Sequence, residues 1–446
     1  EPLSGFDFEN LFVYDLANNH QGDMAHASAI ISGMGAATRK QGVRGVMKFQ
    51  YRQMDTFIHP DHHEESDNKH IPRFLANRLS NPDFAKLRRQ AQDEGMLAMC
   101  TPFDEESVDV IIEHDFDLIK VASCSAKDWP LLEKIAESGL PIIFSTGGLE
   151  IHNIDDLVSF FDHRGCDYAI MHCVSIYPTP QELCNLNQID VLRERYRGRV
   201  IGWSTHEDPD DLEPVFVAAA KGARMFERHV GIRTDDYALN AYSSTPEQVE
   251  KWLAAHKRAI NLCGSRDRTL NDVEVASIDA LRRGVFAKKP IKAGQVLDRS
   301  QVYFAMPYQE GQLDSGSWSN EITATADVPV NAPVMLSGAE RGNNNDVQVL
   351  KQAIHQTKAL LNEANIVLNS DFEVEYSHHY GVSRFMECGA VIINCINRSY
   401  CKKIIVQLPG QFHPLHFHRR KEETFQVLMG DLDVRVDNTR RTLRAG

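Results

Sequence analysis

Up to residue 267, short apolar runs rich in β-branched residues alternate with segments of helical spacing. The strand-like runs fall at 11–16, 43–50, 96–101, 118–123, 141–146, 168–174, 199–204 and 224–230. Between them, apolar residues recur every three or four positions, for example at 25–37, 83–94, 131–137, 212–220 and 246–261. That is the spacing of a helix burying one face. Strand-then-helix units repeated in this way predict an α/β fold, a (β/α)8 TIM barrel over 1–267, rather than an open doubly wound sheet. No glycine-rich phosphate fingerprint follows the first run, which further disfavours a dinucleotide-binding sheet.

The pattern then changes. Residues 276–341 carry short runs at 284–287, 301–305 and 328–334 between Gly, Pro and Asp turns, with Lys292-Ala293-Gly294 as a tight turn. A small β-rich domain is expected there. Residues 342–366 begin with a Gly-Asn-Asn-Asn-Asp linker signal and continue with helical spacing over 347–365. Strand-like runs return at 372–376, 389–396, 403–407, 425–428 and 432–436, so 367–446 reads as a second β domain, incomplete at its C-terminal end.

Charge narrows the classes of function. Lys and Arg number 48 against 62 Asp and Glu, a formal net charge of -14 over 446 residues. A nucleic-acid or anionic-membrane binder would need a basic face, so neither partner is expected. No apolar run reaches the roughly 18 residues of a membrane helix. The nine cysteines are odd in number, scattered and without a CxxC pair, and several lie in apolar runs. They read as reduced core residues of a cytoplasmic protein.

In a barrel of this kind, chemistry gathers at the carboxyl ends of the strands. The predicted ends deliver Asp15 with Asn19 just beyond, Lys48 and Gln50, Thr101, Lys120 and Ser123, Ser145, Ser175 with Tyr177, Ser204 and His206, and Glu227 and His229. Two lysines with several hydroxyls suit a phosphate and a carboxylate, charge coming from the ammonium groups and neutral hydrogen bonds from the hydroxyls. His206 and His229, from adjacent strands, could ligate one divalent ion or act as hydrogen-bonding histidines without metal. Asp15 and Glu227 are acids, bases or hydroxyl binders, or else buried ion-pair partners.

Several stretches together resemble the sialic acid (N-acetylneuraminate) synthases. They are Asn19-His20-Gln21-Gly22-Asp23, Val46-Met47-Lys48-Phe49-Gln50, Cys100-Thr101-Pro102-Phe103-Asp104, Lys120-Val121-Ala122-Ser123, Phe144-Ser145-Thr146-Gly147-Gly148, His172-Cys173-Val174-Ser175-Ile176-Tyr177-Pro178, Gly202-Trp203-Ser204-Thr205-His206 and Phe226-Glu227-Arg228-His229. The resemblance implies condensation of phosphoenolpyruvate with an aldose or N-acylaminohexose acceptor, giving a nonulosonic 3-deoxy-2-keto sugar acid and releasing phosphate. It implies that Lys48, Thr101, Lys120, Ser123, Ser145, Ser175 and Ser204 hold phosphoenolpyruvate, with Lys48, Lys120, His206 and His229 as the catalytic set. His206 and His229 would hold a divalent metal, Mn or Mg, while Asp15, Asn19, Gln50, Tyr177 and Asn240 would face the acceptor. Residues 276–341 resemble the antifreeze-like (SAF) cap of these enzymes, which implies a domain-exchanged homodimer.

This chain departs from that family at Asp15 and Asn240, at Ser125 in place of a glutamate, and at Met306-Pro307-Tyr308 in place of Arg-Pro-Gly. The phosphoenolpyruvate half is thus intact and the acceptor half altered. The alternative is a catalytically altered barrel that binds phosphoenolpyruvate or a sugar acid as a regulatory protein.

Gly410, His416, His418, Glu423 and Gly430 have the spacing of the first cupin motif, which makes 367–446 a β jelly roll. Two histidines at period two share one strand face, so His416, His418 and Glu423 are candidates for a second metal. A metal-free cupin that binds sugar or mediates dimerisation, or one that adds a second catalytic step, fits the same residues.

Overall fold

The structure, a computed structural model, describes residues 5–64, 66–341, 345–368, 372–398, 400–415, 423–436 and 439–445. The chain divides into two compact units, 1–266 and 267–446.

In the first unit eight parallel strands close a barrel: β1 (Leu11–Asp15), β2 (Arg44–Tyr51), β3 (Leu97–Pro102), β4 (Leu118–Val121), β5 (Ile142–Ser145), β6 (Tyr168–Cys173), β7 (Ile201–Thr205) and β8 (Met225–His229). Pairing of β1 with both β2 and β8 completes the ring. The period of two sorts each strand into an inner and an outer face. Leu11, Val13, Val46, Met99, Leu118, Ile143, Ala169, Met171 and Met225 form one buried cluster within the barrel. The alternate residues, among them Phe12, Tyr14, Met47, Phe49, Ile119, Phe144, Ile170 and Phe226, pack against the surrounding helices. Continuing the inner face toward the strand ends brings in Asp15, Lys48, Thr101, Lys120, Ser145, Cys173, Ser204 and Glu227. The apolar layer therefore closes the bottom, and the polar layer sits above it.

Two of the sequence stretches carry helix caps. Asp23 accepts hydrogen bonds from the Ala25 and His26 amides and starts the helix Met24–Gln41. Asp104 accepts from the Ser107 amide and starts Glu105–Glu113. Each satisfies amides that a helix start leaves without partners. The barrel's last helix, Pro246–Cys263, opens with a Thr245–Gln248 capping box.

The second unit holds two separate apolar clusters. One, around Val285, Ile291, Leu297, Val302, Leu313, Ile322 and Val334, joins the antiparallel pairs Gly284–Ala287 with Val302–Ala305 and Ile322–Ala324 with Ala339–Arg341. The other packs Val349, Ala353 and Leu361 of the helix Asn345–Glu363 against the sheet Glu373–His378, Gly389–Asn397 and Cys401–Val406.

Three expectations change. Residues 328–334 form isolated bridges rather than a strand, because Pro329 and Pro333 cannot donate to a ladder. Residues 425–428 form no strand, whereas Asp431–Val436 pairs with Thr439–Arg444, whose arginines mask any apolar alternation. Cys100, Cys173, Cys184 and Cys388 are buried as core residues, but Cys124, Cys263 and Cys401 are exposed. Among the described residues no further strands close the C-terminal sheet into a jelly roll.

Candidate active site

At the carboxyl end of the barrel one carboxylate organises two lysines. Glu227 Oε2 lies 2.6 Å from Lys120 Nζ, and Oε1 lies 2.9 Å from Lys48 Nζ. Ser204 Oγ donates to the same Oε1 at 2.9 Å. Lys48 also reaches Asp15 Oδ2 at 2.8 Å. All five side chains are buried, so the charges meet with little water between them. Burial opposes the Lys48 charge, but the carboxylates of Asp15 and Glu227 outweigh it and push its pKa up. Lys120 has a single carboxylate; burial dominates there and brings its pKa down. Burial of Glu227 is overcome by both lysines, which hold its carboxyl well below the usual range. Of the two ammonium groups, Lys120 is thus the readier to give up its proton. Glu227 and Asp15 stand as ion-pair partners in this state, one of the readings left open above.

His206 and His229 come together, with ring centroids 5.3 Å apart. His206 Nδ1 is 2.9 Å from the Val174 carbonyl, which leaves Nε2 as the free ring nitrogen. His229 Nε2 is 3.5 Å from Asp15 Oδ2. Burial, followed by the neighbouring His229, lowers the His206 pKa to about 3, and burial lowers that of His229 as well. Both rings are therefore neutral near pH 7, the form that ligates metal. Among the described residues no cluster of three or more His, Cys, Asp or Glu has metal-site geometry. The donor set fits a cation that takes two imidazoles and fills its other positions with water or substrate oxygens.

A second group lies between β4, β5 and β6. Gly147 donates its amide to Ser123 Oγ at 3.0 Å. A Cβ at Gly147 would collide with Ser175 Oγ and come within 3.2 Å of Cys173 Sγ, so these four residues enclose one small cradle. Ser145 and Thr101 are buried at the ends of β5 and β3, on either side of β4, and among the described residues Thr101 Oγ1 has no partner. Tyr177 lays its ring 4.2 Å from that of His206. Gln50 Nε2 lies 3.4 Å from Asp15 Oδ2. Asn19 and Asn240 join each other at 3.3 Å, and Asn19 is further tied to the Val230 carbonyl and Ser243 Oγ.

Gly147, Cys173 and Arg52 were not singled out in the sequence as site residues. Cys173 and Arg52 carried a signal, since each continues the inner-face alternation of its strand past Met171 and Gln50. Glu423 is exposed in the second unit, and His416 and His418 lie outside the described residues.

Residues 36–268 match the NeuB family. The chain belongs to that family. It is 31% identical over 294 residues to an uncharacterized protein of Methanocaldococcus jannaschii, covering 65% of this chain and 82% of that one. It is 25% identical to the N,N'-diacetyllegionaminic acid synthase of Legionella pneumophila, covering 65% of this chain and 83% of that one. An N-acetylneuraminate-9-phosphate synthase of Drosophila melanogaster and a pseudaminic acid synthase of Campylobacter jejuni are further relatives, 29% and 30% identical. A crystal structure described as spore coat polysaccharide biosynthesis protein E of Chromobacterium violaceum superposes with a TM-score of 0.73 at 46% identity. It covers 74% of this chain and all of that one.

Proposed function

We propose that this NeuB-family chain condenses phosphoenolpyruvate with an aldose or N-acylaminohexose, forming a nonulosonic acid and releasing phosphate. The observation that carries the reading is the Lys48–Glu227–Lys120 triad beside the His206–His229 pair, at the end of the barrel where the serines form a cradle. The named relatives, which include sialic, legionaminic and pseudaminic acid synthases, support the same class of product.

Each group then has a task. Lys120, Ser123, Ser145, Ser175, Ser204 and the Gly147 amide receive the phosphate, and Lys48 with Thr101 receives the carboxylate. As the lysines turn to these anions, Glu227 is released from them. The vinyl carbon attacks the aldehyde carbon of the open-chain sugar. The former aldehyde oxygen takes up a proton to become a hydroxyl. Water adds to the former enol carbon, and its oxygen becomes the keto oxygen as the C–O bond to phosphate breaks with its electron pair leaving on phosphate. The two water protons end, overall, on the sugar hydroxyl and on phosphate. Asp15 and Glu227 are the carboxylates at hand to take the water's proton, since Ser125 stands where the resembling enzymes carry a glutamate. Lys120 is placed to protonate the departing phosphate. His206 and His229 would hold a divalent cation, Mn or Mg, which supplies Lewis-acid polarisation of the aldehyde when bound. Asn19, Gln50, Tyr177 and Asn240 would orient the acceptor, and orientation of two substrates contributes much of the rate.

The rest of the reading is proposed with it. Residues 276–341 act as the cap and 367–446 as a cupin that would hold a second metal. The protein works as a homodimer in the cytoplasm; among the described residues no helix is long and apolar enough to cross a membrane.

The test is phosphate release from phosphoenolpyruvate with Mn and a panel of aldoses and acylated aminohexoses. Acceptor-dependent release is expected. His206→Ala should abolish both turnover and retention of Mn. Release that ignores the acceptor, or none with any sugar, refutes the synthase reading and leaves the binding-protein alternative.

A further inference from the structure

Arg52 directly follows β2, two residues beyond Gln50 and four beyond Lys48, so the alternation carries all three toward the mouth, with Arg52 outermost. Its guanidinium lies between two aromatic rings, 3.6 Å from the Phe103 centroid and 4.2 Å from that of Phe74. Phe103 follows β3, and Phe74 belongs to the short helix Ile71–Ala76. Nη2 donates to Gln50 Oε1 at 3.1 Å. Nε is buried with no partner. Among the described residues no carboxylate pairs with this guanidinium, whereas Lys48 and Lys120 are both closed onto Asp15 or Glu227.

Both rings thus contact the cation through their faces, a contact that uses none of its N–H groups. Rings alone explain a clamp between the Ile71–Ala76 helix and the β3 end, but they do not explain a covered Nε–H left without an acceptor. Arg52 is half-buried with its Nε fully covered, and burial outweighs the more distant carboxylates of Asp15 and Asp104 and draws its pKa down to about 10. An incoming oxyanion would satisfy Nε and the charge together, in the planar two-point geometry that arginine favours. The two anionic ends of phosphoenolpyruvate are already matched by Lys48 with Thr101 and by Lys120 with the serine cradle. Arg52 lies outward of Lys48 along the line of β2 and holds Gln50, a residue read as facing the acceptor.

Resting on the synthase reading above, we propose that Arg52 is a specificity-determining residue that binds an anionic substituent, phosphate or carboxylate, on the acceptor sugar. The enzyme would thus select a sugar phosphate or a uronic acid over the neutral sugar.

The experiment compares matched acceptors in the phosphate-release assay: arabinose with its 5-phosphate, and mannose and N-acetylmannosamine each with its 6-phosphate and its uronic acid. The wild type should prefer an anionic member, and the phosphate and uronate arms identify which anion it takes. Arg52→Gln should lower kcat/KM for that acceptor on the order of 100-fold, mostly through the acceptor KM, and much less for its neutral counterpart. Arg52→Lys, which keeps the charge but loses the planar fork, should retain part of the preference and guards against misfolding of the glutamine variant. A wild type that prefers the neutral sugars, equal losses on both members, or a rise confined to the phosphoenolpyruvate KM overturns the proposal. If the wild type releases phosphate with no sugar, the synthase reading fails separately. Calorimetric titration of the same sugar phosphates and uronates into wild type and Arg52→Gln then decides: binding by the wild type alone supports the anion site, and equal or absent binding refutes it.

Discussion

Gly147 concentrates the steric logic of the site. It has an ordinary backbone conformation, so a side chain there would not strain the chain. What forbids one is space: a Cβ would meet Ser175 Oγ, would lie 2.8 Å from Ser123 Oγ and would crowd Cys173 Sγ. Gly148 is the opposite case, with φ of 71° and nothing near an added Cβ. The neighbouring substitutions therefore separate two effects. Gly147→Ala should leave the fold intact, push both serines out of the cradle and raise the KM for phosphoenolpyruvate at least ~10-fold, a loss of ~1.4 kcal/mol in binding. Gly148→Ala should cost about 1 kcal/mol of stability through its left-handed backbone and change that KM little. Steady-state kinetics and urea midpoints on the two variants check the pair. A normal KM for Gly147→Ala would remove the cradle from phosphate binding.

The helix Pro246–Cys263 shows what one element contributes to the barrel wall. His256 on its inner face packs edge-on against Phe12 and Phe226, with ring centroids at 4.9 and 4.7 Å. Burial, with lesser help from Arg224 and Lys257, lowers its pKa from 6.5 to about 4. The unfolded chain takes up a proton near pH 6.5, while the folded helix refuses it until about pH 4. The stability held by neutral His256 is thus complete above pH 6.5 and shrinks as the pH falls toward 4, by up to about 3 kcal/mol. His256→Leu should flatten the acid side of the stability curve measured by urea denaturation between pH 7.5 and 4.5; an unchanged slope would place the proton uptake elsewhere. At this scale the sequence was most readable. Apolar runs marked all eight barrel strands, and their polar ends, such as Lys48 and Gln50, marked the mouth where the site gathers. The pattern failed where chemistry disguised it: prolines interrupted 328–334, and arginines hid the strand Thr439–Arg444. It also could not say that Lys48 and Lys120 would share Glu227. That contact joins residues 107 positions apart for Lys120, and its distance is set by closure of the ring rather than by any local spacing.

At the scale of the molecule, the second unit bears apolar side chains without cover in the single chain. Leu270, Val273, Ile278 and Leu281 are 73, 77, 57 and 67% exposed, all on or beside the short helix Asp272–Asp279. Exposed apolar groups so close together mark a surface that meets another protein surface. The homodimer proposed above supplies one. Light scattering should then report about twice the 50.4 kDa of one chain. The double substitution Val273→Glu and Ile278→Glu sets charge into that surface, and like charges on a two-fold interface face one another. It should yield a monomer that keeps its far-ultraviolet circular dichroism. The residues proposed to hold phosphoenolpyruvate all lie within 1–266, so this monomer should still bind phosphoenolpyruvate. Acceptor-dependent turnover should fall if the cap of one copy completes the site of the other. A wild type that runs as a monomer at micromolar concentration would exclude the exchanged arrangement, and a dimer that survives the double substitution would move the interface to another surface.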